Sequence, residues 1–299
     1  MSWTPGLFAA AYFLFFFACA LAMIWWQRRQ RRMRLPFGEE MRLLRSPGET
    51  QLKLVRKQDE NEFLWIALGA GIPAMVFGTM LGWTKSVPST LQLPWLLLAV
   101  TVFIGLFIGA ARWFSRKMRE SHDRYLGYFG ERVVAEHLEP LKQQGWRIFH
   151  DVPGTANGNK FNLDHVAVGP QGVFAIETKT RRKGGARPGF EDHKVFFDGR
   201  DLVWPWGEDS HGLEQAERNA VWLAHTLKDE TGERFHVTPM LTLPGWFVEM
   251  KPSRDSRLCR VTNPKGLAKL LPSGPAVLDA RQITNISGKL EARCRDVEY

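Results

Sequence analysis

Leu7 to Trp26 is an apolar run of 20 residues, and two more such runs follow, Phe63 to Trp83 and Leu91 to Ala111. No Asp, Glu, Lys, Arg or His interrupts any of them. About 20 apolar residues at 1.5 Å rise cross a hydrocarbon core ~30 Å thick, so the pattern predicts three transmembrane helices. Trp3, Trp25, Trp26, Trp65, Trp83, Trp95 and Trp113 fall near the ends of these runs, where an interfacial belt would place them. The first run does not read as a cleaved signal: no Lys or Arg precedes it, and the basic cluster follows it. Buried core helices of a soluble protein are the competing reading, disfavoured by the length and the absence of charge.

Beyond about Ser121 the periods change. The stretch YLGYFGERVVAEHLEPLKQQG reads as an amphipathic helix ending near Gly145, with Val134, Leu138 and Leu141 on one face and Glu131 on the same face. Trp146 to Val152 reads as a strand. FNLDHVAV, the turn GPQG and GVFAIETK read as a hairpin whose two faces are both largely apolar, as in a central buried pair. A small hairpin around Asp198-Gly199 follows. Next comes a helix with Leu213, Ala216, Ala220, Leu223 and Leu227 on its stripe and Gln215 beside it, then a strand over HVTPMLTLPGW. CRVT, the helix PKGLAKLL and a helical stretch near Ala280 to Arg295 complete the order of a mixed α/β domain.

Three units result. Residues 1–120 form a membrane anchor with spans at about 7–26, 63–83 and 91–111 and a basic loop at 27–62. Residues 121–250 form the α/β domain, and 251–299 a C-terminal extension packed on it. The basic segments QRRQRRMR after the first run and SRKMR after the third put both in the cytosol and the N-terminus outside. The arginines of the loop also suit anionic headgroups, making a lipid bilayer one partner. Charge-free spans give little support to a transport pathway. The net charge of +9 favours anionic partners. Three scattered cysteines, without Cys/His metal spacing, exclude a disulfide framework and a zinc site.

The hairpin carries the chemistry. Asp164 and Glu177 stand on its two arms, and Lys179 is two residues beyond Glu177, on the same face. A two-residue loop closed by Gly169 and Gly172 sets Asp164 directly opposite Glu177. Pro170 cannot take the positive φ such loops usually need; a type I turn with Gly172 as a bulge suits it better and pairs Asp164 with Thr178 instead. Two neighbouring carboxylates repel, and burying them unpaired is costly. A divalent cation removes that cost. Asp164, Glu177 and the Thr178 carbonyl are hard oxygen ligands suited to Mg²⁺ or Mn²⁺, and Lys179 would stabilise charge growing on a phosphate. The set describes phosphodiester hydrolysis. An ordinary ion pair of Glu177 with Lys179 is the bland alternative. Arg181, Arg182, Lys183 and Arg187 in the loop after Lys179 would neutralise backbone phosphates. His165, and Trp204 with Trp206, read as structural.

GERVVAEHL, NLDHVAVGPQGVFAIETK and LEQAERNAVWL together resemble the NERD, or nuclease-related, domain of the PD-(D/E)xK restriction-endonuclease-like superfamily, over about Gly127 to Pro244. The resemblance implies a restriction-endonuclease-like mixed sheet flanked by helices. It makes Asp164 and Glu177 metal ligands and Lys179 the catalytic lysine. Glu131 would be the helix glutamate aiding metal or water binding, and Gln215 the glutamine contacting substrate or site. Together with the spans, the resemblance implies a membrane-anchored, Mg²⁺-dependent nuclease that hydrolyses DNA or RNA on the cytosolic side, with DNA the favoured partner. The alternative is an inactive nucleic-acid-binding or scaffold domain on the same tether. The loop between Thr180 and Asp209 is longer and more basic than the family leads one to expect.

Overall fold

Residues 42–251 and 257–297 are described by the computed structural model, apart from the side chains of 59–64, together with scattered helical positions between 11 and 26. The predicted span over 7–26 therefore lies largely outside the described residues. The chain divides into two units: Met1–Met41 with Val55–His122, and Arg42–Leu54 with Asp123–Tyr299. Residues 42–54, assigned by sequence pattern to the loop 27–62, cluster with the α/β unit.

Two long helices, α1 (Glu49–Trp83) and α2 (Gln92–Lys142), dominate the first unit and continue into the second. The stretches Trp65–Ser86 and Ser89–Lys142 are long and apolar enough to cross a membrane. They are joined through turns at Thr84–Ser86 and Ser89–Leu91. Trp65 packs edge-on against Trp113 at 5.0 Å, Phe77 lies 5.1 Å from Phe103, and the Trp95 indole N–H donates to the Met80 carbonyl at 2.8 Å. Other apolar side chains on this pair face outward: Leu93 is 66% exposed and Leu97 60%. A core helix would bury them. Pattern reading separates the run 91–111 from a helix starting near Tyr125; the structure has one helix across both. The polar segment between them holds strong helix formers, and the prolines of this helix, Pro94 and Pro140, sit in its first and last turns.

In the second unit, five strands form a mixed sheet in the order β10 (Arg260–Thr262), β8 (Val237–Thr242), β4 (Gly172–Thr178), β3 (Asn159–Gly169), β2 (Arg147–Ala156). β10, β8 and β4 run parallel; β3 is antiparallel to β4 and to β2. Helices cover both faces. On one, Val134, Leu138 and Leu141 of α2 and Leu267 of α4 (Pro264–Leu270) pack on Ala167, Phe174, Ile176 and Met240. On the other, Ala220, Leu223 and Leu227 of α3 (His211–Thr231) and Ile286 and Leu290 of α5 (Ala280–Cys294) pack on Val166, Val168, Val173 and Ala175. Every residue of β4 is buried, as the apolar hairpin predicts.

The β3–β4 pairing runs from Gly169↔Gly172 to His165↔Ile176. This is the two-residue-loop register; the bulged alternative is not adopted. Gly172, at φ +130°, takes the positive-φ conformation that Pro170 cannot. The Pro170 carbonyl accepts from the backbone N–H groups of Val277 (2.7 Å) and Leu278 (3.0 Å), fixing the hairpin tip to the C-terminal segment.

A second sheet, β7 (Gly207–Asp209), β6 (Leu202–Trp204), β5 (Lys194–Phe197), β9 (Phe247–Met250), carries the predicted hairpin around Asp198-Gly199. β9 has no counterpart in the pattern; Phe247 and Met250 are over half exposed there, so no alternation marks it. β1 (Leu43–Leu44) pairs with β11 (Arg295–Val297) across almost the whole chain, beyond the reach of local patterning.

Leu223 is fully buried at the centre of the α3–sheet contact. Leu223→Ala is expected to destabilise the unit by about 2–5 kcal/mol through lost contacts and a residual cavity. Urea unfolding of the detergent-solubilised chain, followed by tryptophan fluorescence, measures it; an unchanged midpoint would contradict this packing.

Candidate active site

β3 and β4 part company just where the acids lie. Beyond Ile176, β4 pairs with β8 alone, Glu177 to Leu241 and Thr178 to Thr242. The Asp164 side chain fills the gap by accepting the Thr178 backbone N–H at 2.7 Å. Continued by one pair, the hairpin register sets Asp164 opposite Glu177, and the side chains converge as the two-residue loop predicts.

α3 supplies the opposite wall. Its start is fixed by Asp209, which accepts the His211 N–H at 2.8 Å, and by Ser210, whose hydroxyl donates to Glu214 at 2.7 Å. Gln215 and Asn219, one turn apart, then face the end of β4. Lys179 Nζ donates to Glu177 Oε1 at 2.7 Å and to Gln215 Oε1 at 2.9 Å. Asn219 donates to Glu177 Oε2 at 2.9 Å. Lys179 is itself held by its backbone N–H, which donates to the Thr242 carbonyl at 3.0 Å. From the other side α2 brings Glu131. Gly130 permits that approach: a Cβ there would lie 1.7 Å from the Thr180 hydroxyl.

The charges are poorly solvated. Glu131 is 7% exposed and Glu177 2%. Burial, reinforced by the charges of Glu177 and Glu131, pushes Asp164 well above the usual carboxylate range. Burial likewise raises Glu177, against the pull of Lys179 and the Asn219 hydrogen bond. Glu131 is pushed up to about 8 by burial and by the charges of Asp151 and Glu177.

All of Glu131, Asp164, Glu177, Thr178, Lys179 and Gln215 therefore meet at one end of the sheet. The basic residues do not form a free loop. Arg181 pairs with Asp209 and lies 5.4 Å over the Trp204 ring, and Arg182 donates to Asp123 at 3.1 Å. Lys183 stands 5.9 Å from the Trp246 ring. Arg187 donates to the carbonyls of Pro205 (3.2 Å) and Trp204 (3.3 Å). Trp204 is buried and stacked on Trp206 at 5.5 Å, a packing role for the buried ring.

Four residues escape the sequence reading. Asn219 sits on the buried stripe of α3 one turn after Gln215, a legible but unused signal. Asp151 and its partner Arg45 are 106 residues apart, and no local pattern joins them. His150, to which no partner is assigned from sequence, meets His165 through their Nδ1 atoms at 2.8 Å. Burial holds His150 down at about 4 and His165 well below its ordinary value, so both are neutral near pH 7. His165 is fully buried beside His150.

Among the described residues no group of three or more His, Cys, Asp or Glu side chains is arranged to hold a metal ion. What the protein offers is a carboxylate pair whose mutual repulsion a cation would relieve. That donor set fits Mg²⁺ or Mn²⁺, which bind through one or two carboxylates and complete their shells with water and phosphate oxygens.

Residues 126–244 match the family model of the nuclease-related domain, NERD. The PD-(D/E)xK superfamily is consistent with the match. No curated protein and no solved structure matches the chain.

The Glu131 carboxyl, at about 8 in the fold against 4.5 when free, binds its proton more tightly folded than unfolded. Its contribution is present in full below the unfolded value and is lost as pH rises through the folded one. In EDTA, denaturation midpoints of the full chain are expected to fall between about pH 5 and pH 8. Glu131→Gln is expected to flatten that decline, and parallel profiles for the two proteins would refute it.

Proposed function

With a match to the nuclease-related domain as the premise, we propose that the chain is a membrane-anchored, metal-dependent nuclease that hydrolyses phosphodiester bonds of DNA or RNA at the cytosolic face. The observation that carries this is the meeting of Asp164, Glu177 and Lys179, inside the matched segment, at the end of a buried mixed sheet flanked by helices.

In this reading Asp164 and Glu177, with the Thr178 carbonyl, would hold Mg²⁺ or Mn²⁺. Bound there, the ion would screen charge on the phosphate and make its water more acidic. Lys179 turns its ammonium toward the same point, where it stabilises charge developing on phosphate oxygens. Gln215 holds that ammonium from the α3 side, so Lys179 is pre-set rather than recruited. Asn219 orients Glu177. Glu131 helps to place water. Arg181, Arg182 and Lys183 neutralise phosphates flanking the cut, giving sequence-independent affinity. Arg187, bound to two carbonyls of the second sheet, chiefly holds the loop in shape.

One observation favours a second reading, a non-catalytic nucleic-acid-binding or scaffold domain. Both oxygens of Glu177 already have partners, Lys179 and Asn219. Cleavage assays separate the two. With Mg²⁺ the wild-type chain is expected to cut DNA, and Asp164→Ala or Lys179→Ala to lower kcat by at least about a hundredfold, the range of one lost charge-stabilising group. Equal background cleavage in all three proteins would leave only the second reading.

Two apolar helices and flanking basic clusters support the anchor and its orientation. A bilayer-impermeant maleimide is expected to label Ser2→Cys on intact cells and to spare a cysteine placed at Ser121. Labelling of the second position from outside would reverse the topology.

A further inference from the structure

The site is braced by residues that lie outside the matched segment. Arg45 spreads its guanidinium between two acids. Nε and Nη2 grip the Asp296 carboxylate at 2.6 and 2.7 Å, and Nη1 donates to Asp151 Oδ2 at 2.8 Å and to the Asp151 carbonyl at 3.2 Å. Thr50 adds its hydroxyl (2.7 Å) and backbone N–H (3.2 Å) to the same Asp151 oxygen, and Asn162 donates to the other at 3.2 Å. With its carboxylate so occupied and 3% of its surface exposed, Asp151 is a structural acid rather than a spare ligand.

Asp151 is held in an unusual backbone state. Its φ of +49° lies in the left-handed region, inside β2, between the pairs His150↔His165 and Val152↔Leu163. That is the position facing Asp164. Such a conformation in a non-glycine residue is strained and persists only where its surroundings over-determine it. Here the surroundings are Arg45, Thr50 and Asn162. Three residues after Arg45, Gly48 brings its backbone N–H into the field of the Glu131 carboxyl and counters the rise in its proton affinity. Gly48 has φ +69°, and a Cβ there would lie 2.7 Å from the Tyr128 ring, so only glycine allows this close approach to α2. The segment Arg45–Thr50 thus reaches both flanks of the site, the strand beside Asp164 and the helix glutamate.

We infer that Arg45 is a positioning residue of the candidate active site: by locking Asp151 in its left-handed conformation it sets where β3 presents Asp164. The catalytic unit then includes Arg42–Leu54, the segment that leads into the first long helix together with that helix's first residues. This rests on the nuclease reading above. Arginine is required because one planar fork serves two carboxylates; a lysine could serve one.

The test uses the full chain in detergent. Arg45→Met combined with Asp151→Asn removes both charges of the buried pair, so no unpaired buried charge is left to unfold the domain. Below its melting temperature, this variant is expected to lose about tenfold or more in kcat with Mg²⁺ and a DNA oligonucleotide. Its KM should stay within about twofold, since phosphate contacts are untouched, and Mn²⁺ affinity by calorimetry should weaken. If the double variant fails to fold, Arg45→Lys gives the same comparison with the charge retained. A folded variant with wild-type kcat and Mn²⁺ affinity overturns the positioning role while leaving the nuclease reading intact. A wild-type chain that neither cleaves nor takes up Mn²⁺ defeats the nuclease reading, and this inference with it.

Discussion

Carboxylates buried within each other's field are the constraint on which this domain is organised. Asp164, Glu177 and Glu131 converge where water is scarce: Glu177 and Glu131 raise the proton affinity of Asp164, and Glu177 raises that of Glu131. A fold selected for stability alone would replace such a cluster with apolar side chains. The cluster stands at the end of a strand otherwise filled with Val, Phe, Ala and Ile, and the proposed function rests on it.

The scaffold answers that repulsion with fixed partners. Lys179 and Asn219 occupy the two oxygens of Glu177, and the Thr178 N–H takes one of Asp164. These partners come from rigid elements: α3 presents Gln215 and Asn219 a turn apart, and α2 comes close enough to contribute Glu131 because Gly130 has no side chain. On the far side, Arg45 and Thr50 hold a strained residue of β2 against the same point. The geometry is therefore supported on every flank, which a site needs if its reacting groups are to be set before substrate arrives.

Much of this arrangement was legible in the chain. The two-sided apolar hairpin announces a central pair, and its two-residue loop puts Asp164 and Glu177 across from one another, a register the structure adopts although Pro170 argued for a bulge. Lys179 follows from period-two alternation. Other features were not legible, for identifiable reasons. The helix-compatible polar stretch after Ala111 hides the continuity of α2. β9 lacks alternation because part of it is exposed. The basic loop after Lys179 looks free in sequence, yet Trp204 and Asp209 bind its arginines, partners brought in by a second sheet.

What the sequence by itself determined is what depends on spacing within about ten residues: the apolar runs, the strand and helix faces, and which side chains share a face. Such patterns are local, because the periods of 2.0 and 3.6 are properties of a single element. Only the tertiary structure decided the rest. The Arg45–Asp151 clamp, the β1–β11 pairing and the His150–His165 contact join residues that no period connects. Burial, which turns ordinary carboxylates into a strained cluster, exists only once helices close over both faces of the sheet.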